Sequence, residues 1–285
     1  QTFKNSLTGL PLGAGKGGSD FHPRGKSDRE IMAFCQSFMN ELHRHIGANT
    51  DVPAGDLGVG TREIGFLFGQ YKRLTAKFEA ALTGKGLGWG GSLLRPEATG
   101  FGVAYFAQEM LRARDEDIAG KVIAVSGFGN VAWGVVRKLN DLGAKVVTLS
   151  GPDGFIHDPD GVSGEKIEFM LQMRASGRDR VQDLAERFGV AFHAGRRPWV
   201  VTCDIAVPCA LQNELDANYA RSLLDNGCRC VVEGANMPTT PEAIAALTAN
   251  GTLFAPGKAA NAGGVIVSGF EMAQNATWER WSREE

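Results

Sequence analysis

The run Val122-Ile-Ala-Val-Ser-Gly127-Phe-Gly129-Asn-Val-Ala132 constrains the fold more than any other stretch of the chain. An apolar strand, a GxGxxA turn and the start of a helix follow one another without interruption. The first glycine makes the tight turn, the second lets a pyrophosphate approach the backbone, and Ala132 permits close packing of helix on strand. The phosphates would rest on the positive N-terminus of the helix. Gly127, Gly129 and Val131 are therefore candidate dinucleotide contacts.

The texture around this run agrees. From residue 120 onward, short apolar runs at 122–126, 145–149, 200–207, 228–232 and 253–255 read as buried strands. Helical segments near 131–141, 164–175, 180–188, 216–224 and 241–249 separate them. Strands alternating with helices predict a parallel sheet covered on both faces. The fold class expected is α/β: a Rossmann-like doubly wound cofactor domain over 93–285, plus part of an α/β substrate domain over 1–92. The last helix is expected to lead back toward the substrate domain. The second strand ends Ser150-Gly-Pro-Asp153, with no adjacent Arg or Lys to welcome a 2′-phosphate. Asp153 as the ribose-binding acid tilts the cofactor toward NAD over NADP.

The first ninety residues are organised differently. Ser27-Asp-Arg-Glu30 is a capping box, and Ile31, Phe34, Cys35, Phe38, Met39, Leu42 and Ile46 recur behind it at helical spacing. A second helix is expected over 62–74, and another begins at Arg95-Pro-Glu-Ala-Thr99. Between the first two lies the Gly- and Pro-rich loop 51–60. Gly86-Leu-Gly88-Trp-Gly-Gly91 also matches GxGxxG, but no convincing strand precedes it and Pro96 follows closely, so it reads as a hinge loop between domains. Ahead of all these stands Leu10-Pro-Leu-Gly-Ala-Gly-Lys16-Gly-Gly-Ser-Asp20. A lysine set among glycines can be desolvated on such a loop, which lowers its pKa into a useful range for catalysis. It is not a P-loop: Leu10 stands where the first glycine would be, and Gly17 replaces the Ser/Thr that would bind Mg²⁺.

Bulk properties narrow the class. A net charge of -2 gives no support for a nucleic-acid or anionic-membrane partner, and no stretch approaches the roughly 18 apolar residues of a membrane span. Glycine is abundant at 38 of 285 residues, nearly twice the usual ~7%, and its clustering speaks for turns and ligand contacts. Five cysteines in no disulfide or zinc spacing read as reduced, partly buried thiols in a cytoplasmic protein. The five histidines form no ligand cluster, so no metal is expected. The chain opens on Gln1 and closes on the amphipathic run 278–285, and both ends read as cut from a longer protein.

Taken in order, Phe3-Lys-Asn, 10–20, 51–60, Arg95-Pro-Glu-Ala-Thr-Gly100, Pro208-Cys-Ala-Leu-Gln-Asn213, Glu233-Gly-Ala-Asn-Met-Pro238 and Lys258-Ala-Ala-Asn-Ala-Gly-Gly264 closely resemble the hexameric glutamate dehydrogenases of bacteria, in the Glu/Leu/Phe/Val dehydrogenase superfamily. The likeness covers essentially the whole chain, and 148–154 looks like the NAD-linked branch. The resemblance implies that Lys16 is the catalytic lysine and Asp56 the acid/base that exchanges a proton with the amino group. It implies that Lys4, helped by Gln1, pairs with the substrate α-carboxylate. Gly55 would offer backbone contact, Ser268 would bind the side-chain carboxylate, and Val265 would line the same pocket. Arg95, Thr99, Asn130, Asn236 and Asn261 would contact NAD or NADP. A further lysine for the γ-carboxylate lies upstream of this chain in the family. The activity implied is reversible oxidative deamination of L-glutamate to 2-oxoglutarate and ammonia, in a homo-oligomer of the hexameric kind. Two alternatives stand beside it: a leucine, valine or phenylalanine dehydrogenase, and a non-catalytic dinucleotide-binding redox sensor.

Overall fold

A computed structural model describes residues 1–56, 58–93, 96–175 and 180–282. In chain order the helices are α1 (Thr2–Ser6), α2 (Asp28–Leu42), α3 (Thr61–Thr75), α4 (Ala98–Arg112), α5 (Asn130–Asp141), α6 (Glu165–Ala175), α7 (Gln182–Phe188), α8 (Ala217–Asp225), α9 (Pro241–Ala249), α10 (Gly257–Ala260) and α11 (Gly263–Ala276). The strands are β1 (Val122–Val125), β2 (Lys145–Val146), β3 (Thr148–Gly151), β4 (Gly154–His157), β5 (Ala191–Ala194), β6 (Ile205–Val207), β7 (Cys230–Val232) and β8 (Leu253–Ala255). The chain divides into two compact units. The first comprises Gln1–Thr2, Leu10–Arg95 and Val265–Glu285; the second comprises Phe3–Gly9 and Pro96–Gly264.

The second unit is built on a five-stranded parallel sheet in the order β2-β1-β6-β7-β8. Strand residues alternate between faces, and the core divides accordingly. Ile123, Val125, Ile205, Val207, Cys230 and Val232 pack on one side with residues of α4 and α5. Ala124, Ala206 and Val231 pack on the other with residues of α8 and α9. Both faces are covered, which is why these strands are apolar throughout rather than alternating with polar residues. Helices α4 and α5 cross unusually closely. A Cβ on Gly100 would lie 2.4 Å from the Val135 backbone nitrogen and 2.5 Å from the Val131 carbonyl oxygen.

Several expected strands are shorter, for identifiable reasons. The run 145–149 breaks at Val147. The Thr148 hydroxyl stands beside β1, accepting from the Val125 amide at 2.9 Å and donating to its carbonyl at 3.0 Å, so a side chain takes the place of ladder bonds. Beyond it the chain turns into a three-stranded antiparallel sheet, β3-β4-β5, which the sequence reading missed. Only 205–207 of the expected strand 200–207 is extended, because Pro198 opens a short 3-10 turn over Pro198–Val200. Likewise 228–229 close the turn after α8, with the Cys228 amide donating to Leu223 at 2.9 Å, and β7 starts at Cys230.

In the first unit, α2 begins on the anticipated capping box, with the Glu30 carboxylate accepting from the Ser27 amide at 2.8 Å. Met39, Ile64, Phe68, Tyr71 and Leu82 form its core. Burying each of these large side chains is worth about 1.5–3 kcal/mol. Residues 86–91, expected as a hinge, lie inside this unit instead. They form a 3-10 turn, Leu87–Trp89, whose indole stacks on Phe68 at 6.4 Å between centroids and occupies the space a Cβ on Gly65 would fill. Helix α11 ends at Ala276, and Trp278 takes a φ of 60°.

Candidate active site

In the first unit, the glycine-rich segment bearing Lys16 has no regular structure, and Lys16 Nζ donates to an Asp56 carboxylate oxygen forty residues along the chain. Asp56 belongs to the 51–60 loop. It does not cap α3: Gly60 is the N-cap residue there, and its amide donates to Glu63 at 2.8 Å. Among the described residues Lys16 does not have the low-polarity surroundings expected for it: the lysine and aspartate side chains are 55% and 53% exposed. A pair this open contributes at most about 1 kcal/mol to stability. The pairing is therefore a weak structural device, and what it provides is a proton donor and acceptor in contact.

Gly55 is needed where it stands, because a Cβ there would lie 2.5 Å from the Val59 carbonyl oxygen. Beside it, Ala54 bridges Thr83 in parallel, and the Thr83 amide donates to Pro53 at 3.0 Å. Thr83 is fully buried, with no hydrogen-bond partner for its hydroxyl oxygen. Val265 and Ser268 stand on α11, and Ser268 is buried. Gln1 is exposed, and Lys4 lies on α1 within the part of the chain that joins the second unit.

In the second unit, strand order reverses between β1 and β6, and the carboxyl ends of strands at such a switch point are where α/β sheets bind ligands. Gly127 leaves β1 there with φ +78°, and a Cβ on it would lie 2.9 Å from the Cys209 carbonyl oxygen. Its amide donates to Ser150 Oγ at 2.8 Å. Gly129, exposed, is the N-cap residue of α5, and Asn130 and Val131 open the helix. Glycine supplies no capping side chain, so the helix N-terminus keeps amides suited to a phosphate. After β7, Asn236 Oδ1 accepts from Asn261 Nδ2 at 2.9 Å, while the buried Asn261 Oδ1 has no partner. Thr99 faces Gly264 so closely that a Cβ there would meet its hydroxyl at 2.3 Å. Arg95 lies outside the described residues. The glycine cradle, the α5 terminus and the orphaned amide oxygen of Asn261 together fit a dinucleotide. Among the described residues no cluster of three His, Cys, Asp or Glu could hold a metal.

Two features of this cradle were not anticipated. Behind the turn, buried Glu214 accepts from Ser126 Oγ at 2.8 Å and from the Ala210 amide at 2.9 Å. Burial pushes its carboxyl above the ordinary range. Asp153, read as the ribose-binding acid, is engaged elsewhere: its carboxylate accepts from the Val181 and Gln182 amides at 3.0 and 2.9 Å, at the start of α7. It sits in the β3–β4 hairpin turn, because the second strand stops at Val146 rather than running on to residue 149.

Residues 90–285 match the Glutamate/Leucine/Phenylalanine/Valine dehydrogenase family, and residues 1–73 match the Glu/Leu/Phe/Val dehydrogenase dimerisation domain. The chain belongs to this family. It is 61% identical to an NAD-specific glutamate dehydrogenase of Bacteroides fragilis and 55% identical to an NADP-specific glutamate dehydrogenase of Haemophilus influenzae, in each case over 100% of this chain and 64% of the relative. The crystal structure of Plasmodium falciparum glutamate dehydrogenase superposes with a TM-score of 0.97 at 50% identity, covering 100% of this chain and 61% of that one. The chain thus spans less than two-thirds of the length of these relatives.

Proposed function

We propose that the protein to which this chain belongs interconverts L-glutamate with 2-oxoglutarate and ammonia, using NAD or NADP. The single observation carrying this reading is the Lys16–Asp56 contact within a chain of this family. Two relatives that align with the whole of this chain, over 64% of their own length, are named glutamate dehydrogenases, one NAD-specific and one NADP-specific, which supports the same substrate and either cofactor.

Gly127, Gly129, Asn130, Val131, Asn236, Asn261, Thr99 and Arg95 would hold the nicotinamide dinucleotide, which when bound would accept the hydride from the substrate Cα–H. Asp153, committed to capping α7, carries no preference between the two cofactors. Lys4 and Gln1 bind the α-carboxylate, Gly55 offers its backbone, and Ser268 and Val265 receive the side chain. Once Cα is an iminium carbon, Lys16 in its neutral form takes a proton from the water that adds there. Asp56 holds the proton exchanged with the substrate nitrogen, first accepting it from the amino group and later returning it as ammonia leaves. As ammonia leaves, the added hydroxyl releases its proton to solvent, and Asp56, again a carboxylate, relays to solvent the proton that Lys16 took from water, so that both residues start the next cycle unprotonated.

Oligomeric assembly is part of the proposal, supported by the match of residues 1–73 to a dimerisation domain. A cytoplasmic location agrees with five free, buried thiols. Among the described residues no helix is long and apolar enough to cross a membrane.

The test is the full-length protein assayed for reduced nicotinamide with glutamate, leucine, valine and phenylalanine against both cofactors. Turnover concentrated on glutamate is expected. Preference for an apolar amino acid would move the assignment to the leucine, valine or phenylalanine branch. Dinucleotide binding without turnover would make it a redox sensor.

A further inference from the structure

The 86–91 segment imitates a dinucleotide fingerprint and binds no dinucleotide in the reading above; within the first unit it does something else. Together with residues 82–85 it receives one face of α11. Glu271 Oε2 accepts from the Gly84 amide at 2.9 Å, and Oε1 accepts from Lys85 Nζ at 2.9 Å. Lys85 Nζ also donates to the Leu82 carbonyl at 2.6 Å. Both charged side chains are 0% exposed. One turn further on, Asn275 Nδ2 donates to the Gly90 carbonyl at 2.6 Å, and a Cβ on Gly90 would collide with that amide at 2.9 Å.

This strip connects two parts of the proposed substrate site. Through the Ala54–Thr83 bridge it is tied to the loop of Gly55 and Asp56. Through Glu271 it is tied to α11, three residues from Ser268, one helical turn along the same face. Buried charges are costly to remove from water, and an apolar pair of the same size would hold a core at least as well. A fully buried ion pair that also ties down backbone amides fixes position along the helix axis, which apolar packing alone does not.

We propose that Glu271, with Lys85, is a positioning residue that sets where α11 presents Ser268 and Val265 to the amino-acid side chain, relative to Gly55 and Asp56. The inference rests on the substrate reading above. Its consequence is selective: loss of the pair displaces the part of the site that binds the amino acid and leaves dinucleotide binding alone.

The experiment uses full-length protein: wild type, Glu271→Gln, Lys85→Met, and the charge-balanced double variant, assayed on glutamate, leucine, valine and phenylalanine. Each single variant is expected to raise KM for the oxidised amino acid about tenfold or more, with KM for the dinucleotide within about twofold. The double variant, neutral and still carrying an amide oxygen for the Gly84 amide, is expected to recover most of that loss. Should a single variant fail to fold, Glu271→Asp keeps the charge but shortens its reach, and the same selective rise in amino-acid KM is expected from it. Unchanged KM values with only a lower melting temperature, or equal shifts in both KM values, would overturn the positioning role. Wild-type preference for another amino acid would overturn the glutamate reading alone, since KM for that amino acid still reads the effect of Glu271. Absence of any wild-type turnover would overturn both.

Discussion

Glycines crowd both the β1–α5 turn and the loop of Lys16, yet their surroundings differ sharply. A Cβ on Gly127 would lie 2.9 Å from a backbone oxygen, and one on Gly100, beneath the same helix, 2.4 Å from a backbone nitrogen. Around Gly13, Gly15, Gly17 and Gly18 an added Cβ would meet nothing within 4 Å. In the first region packing of the unit itself imposes glycine at 127 and 100, while Gly129, with nothing within 4 Å of an added Cβ, leaves the start of α5 open. In the second, the unit makes no use of the missing side chain, and the space remains for whatever approaches Lys16. Composition alone does not distinguish a glycine that closes a fold from one that leaves a site open; the neighbouring atoms do.

That contrast can be broken or sharpened in order of effect. Gly100→Val forces α4 and α5 apart and is expected to cost about 3 kcal/mol, lowering the melting temperature by roughly 10 °C. A change within about 1 kcal/mol would mean that the helices slide without penalty. Asp153→Ala removes the acceptor for two amides of α7 and is expected to cost about 1 kcal/mol by denaturant titration. Dinucleotide affinity should barely move; a loss of tenfold or more would return Asp153 to the ribose. Glu214 gives a smaller, pH-dependent effect. Burial raises its folded carboxyl pKa above the ordinary 4.5, so its contribution to stability is full below the unfolded value and is lost as pH rises through the folded one. Glu214→Gln, which adds no charge beside the unpartnered Oε2, should therefore gain stability relative to wild type as pH rises from about 4 toward neutral. A difference independent of pH would contradict this. Gly17→Ala should change stability by less than about 0.5 kcal/mol.

The parts legible in the sequence are those fixed by local chemistry. The Ser27 capping box, the apolar face of α2 and the Gly127–Ala132 turn each lie within a few residues, and their spacing alone specifies them. Apolar runs located the five parallel strands, although their ends moved where Thr148 and Pro198 put side-chain or turn geometry in place of ladder bonds. The β3–β5 sheet escaped notice because β3 was absorbed into the preceding run and β5, Ala-Phe-His-Ala, carries little strand character. Asp153 follows an apolar run and so reads as a strand end, whereas it stands in the β3–β4 hairpin. The roles of Lys16 and Asp56 follow only from the family resemblance, and their contact, across forty residues, is visible only in the structure. The Lys85–Glu271 pair was not reached at all. Its partners stand 186 residues apart, and neither residue type, read alone, predicts full burial.

The central claim is that the Lys16–Asp56 pair performs proton chemistry while the glycine turn holds the cofactor independently. Lys16→Ala in the full-length protein tests both halves at once, with turnover and dinucleotide dissociation constant measured on the same preparation. Turnover is predicted to fall by about a thousandfold or more, the scale of a lost acid–base group, while the dissociation constant stays within about twofold. Turnover within tenfold of wild type, or dinucleotide affinity falling in step with activity, would contradict the account.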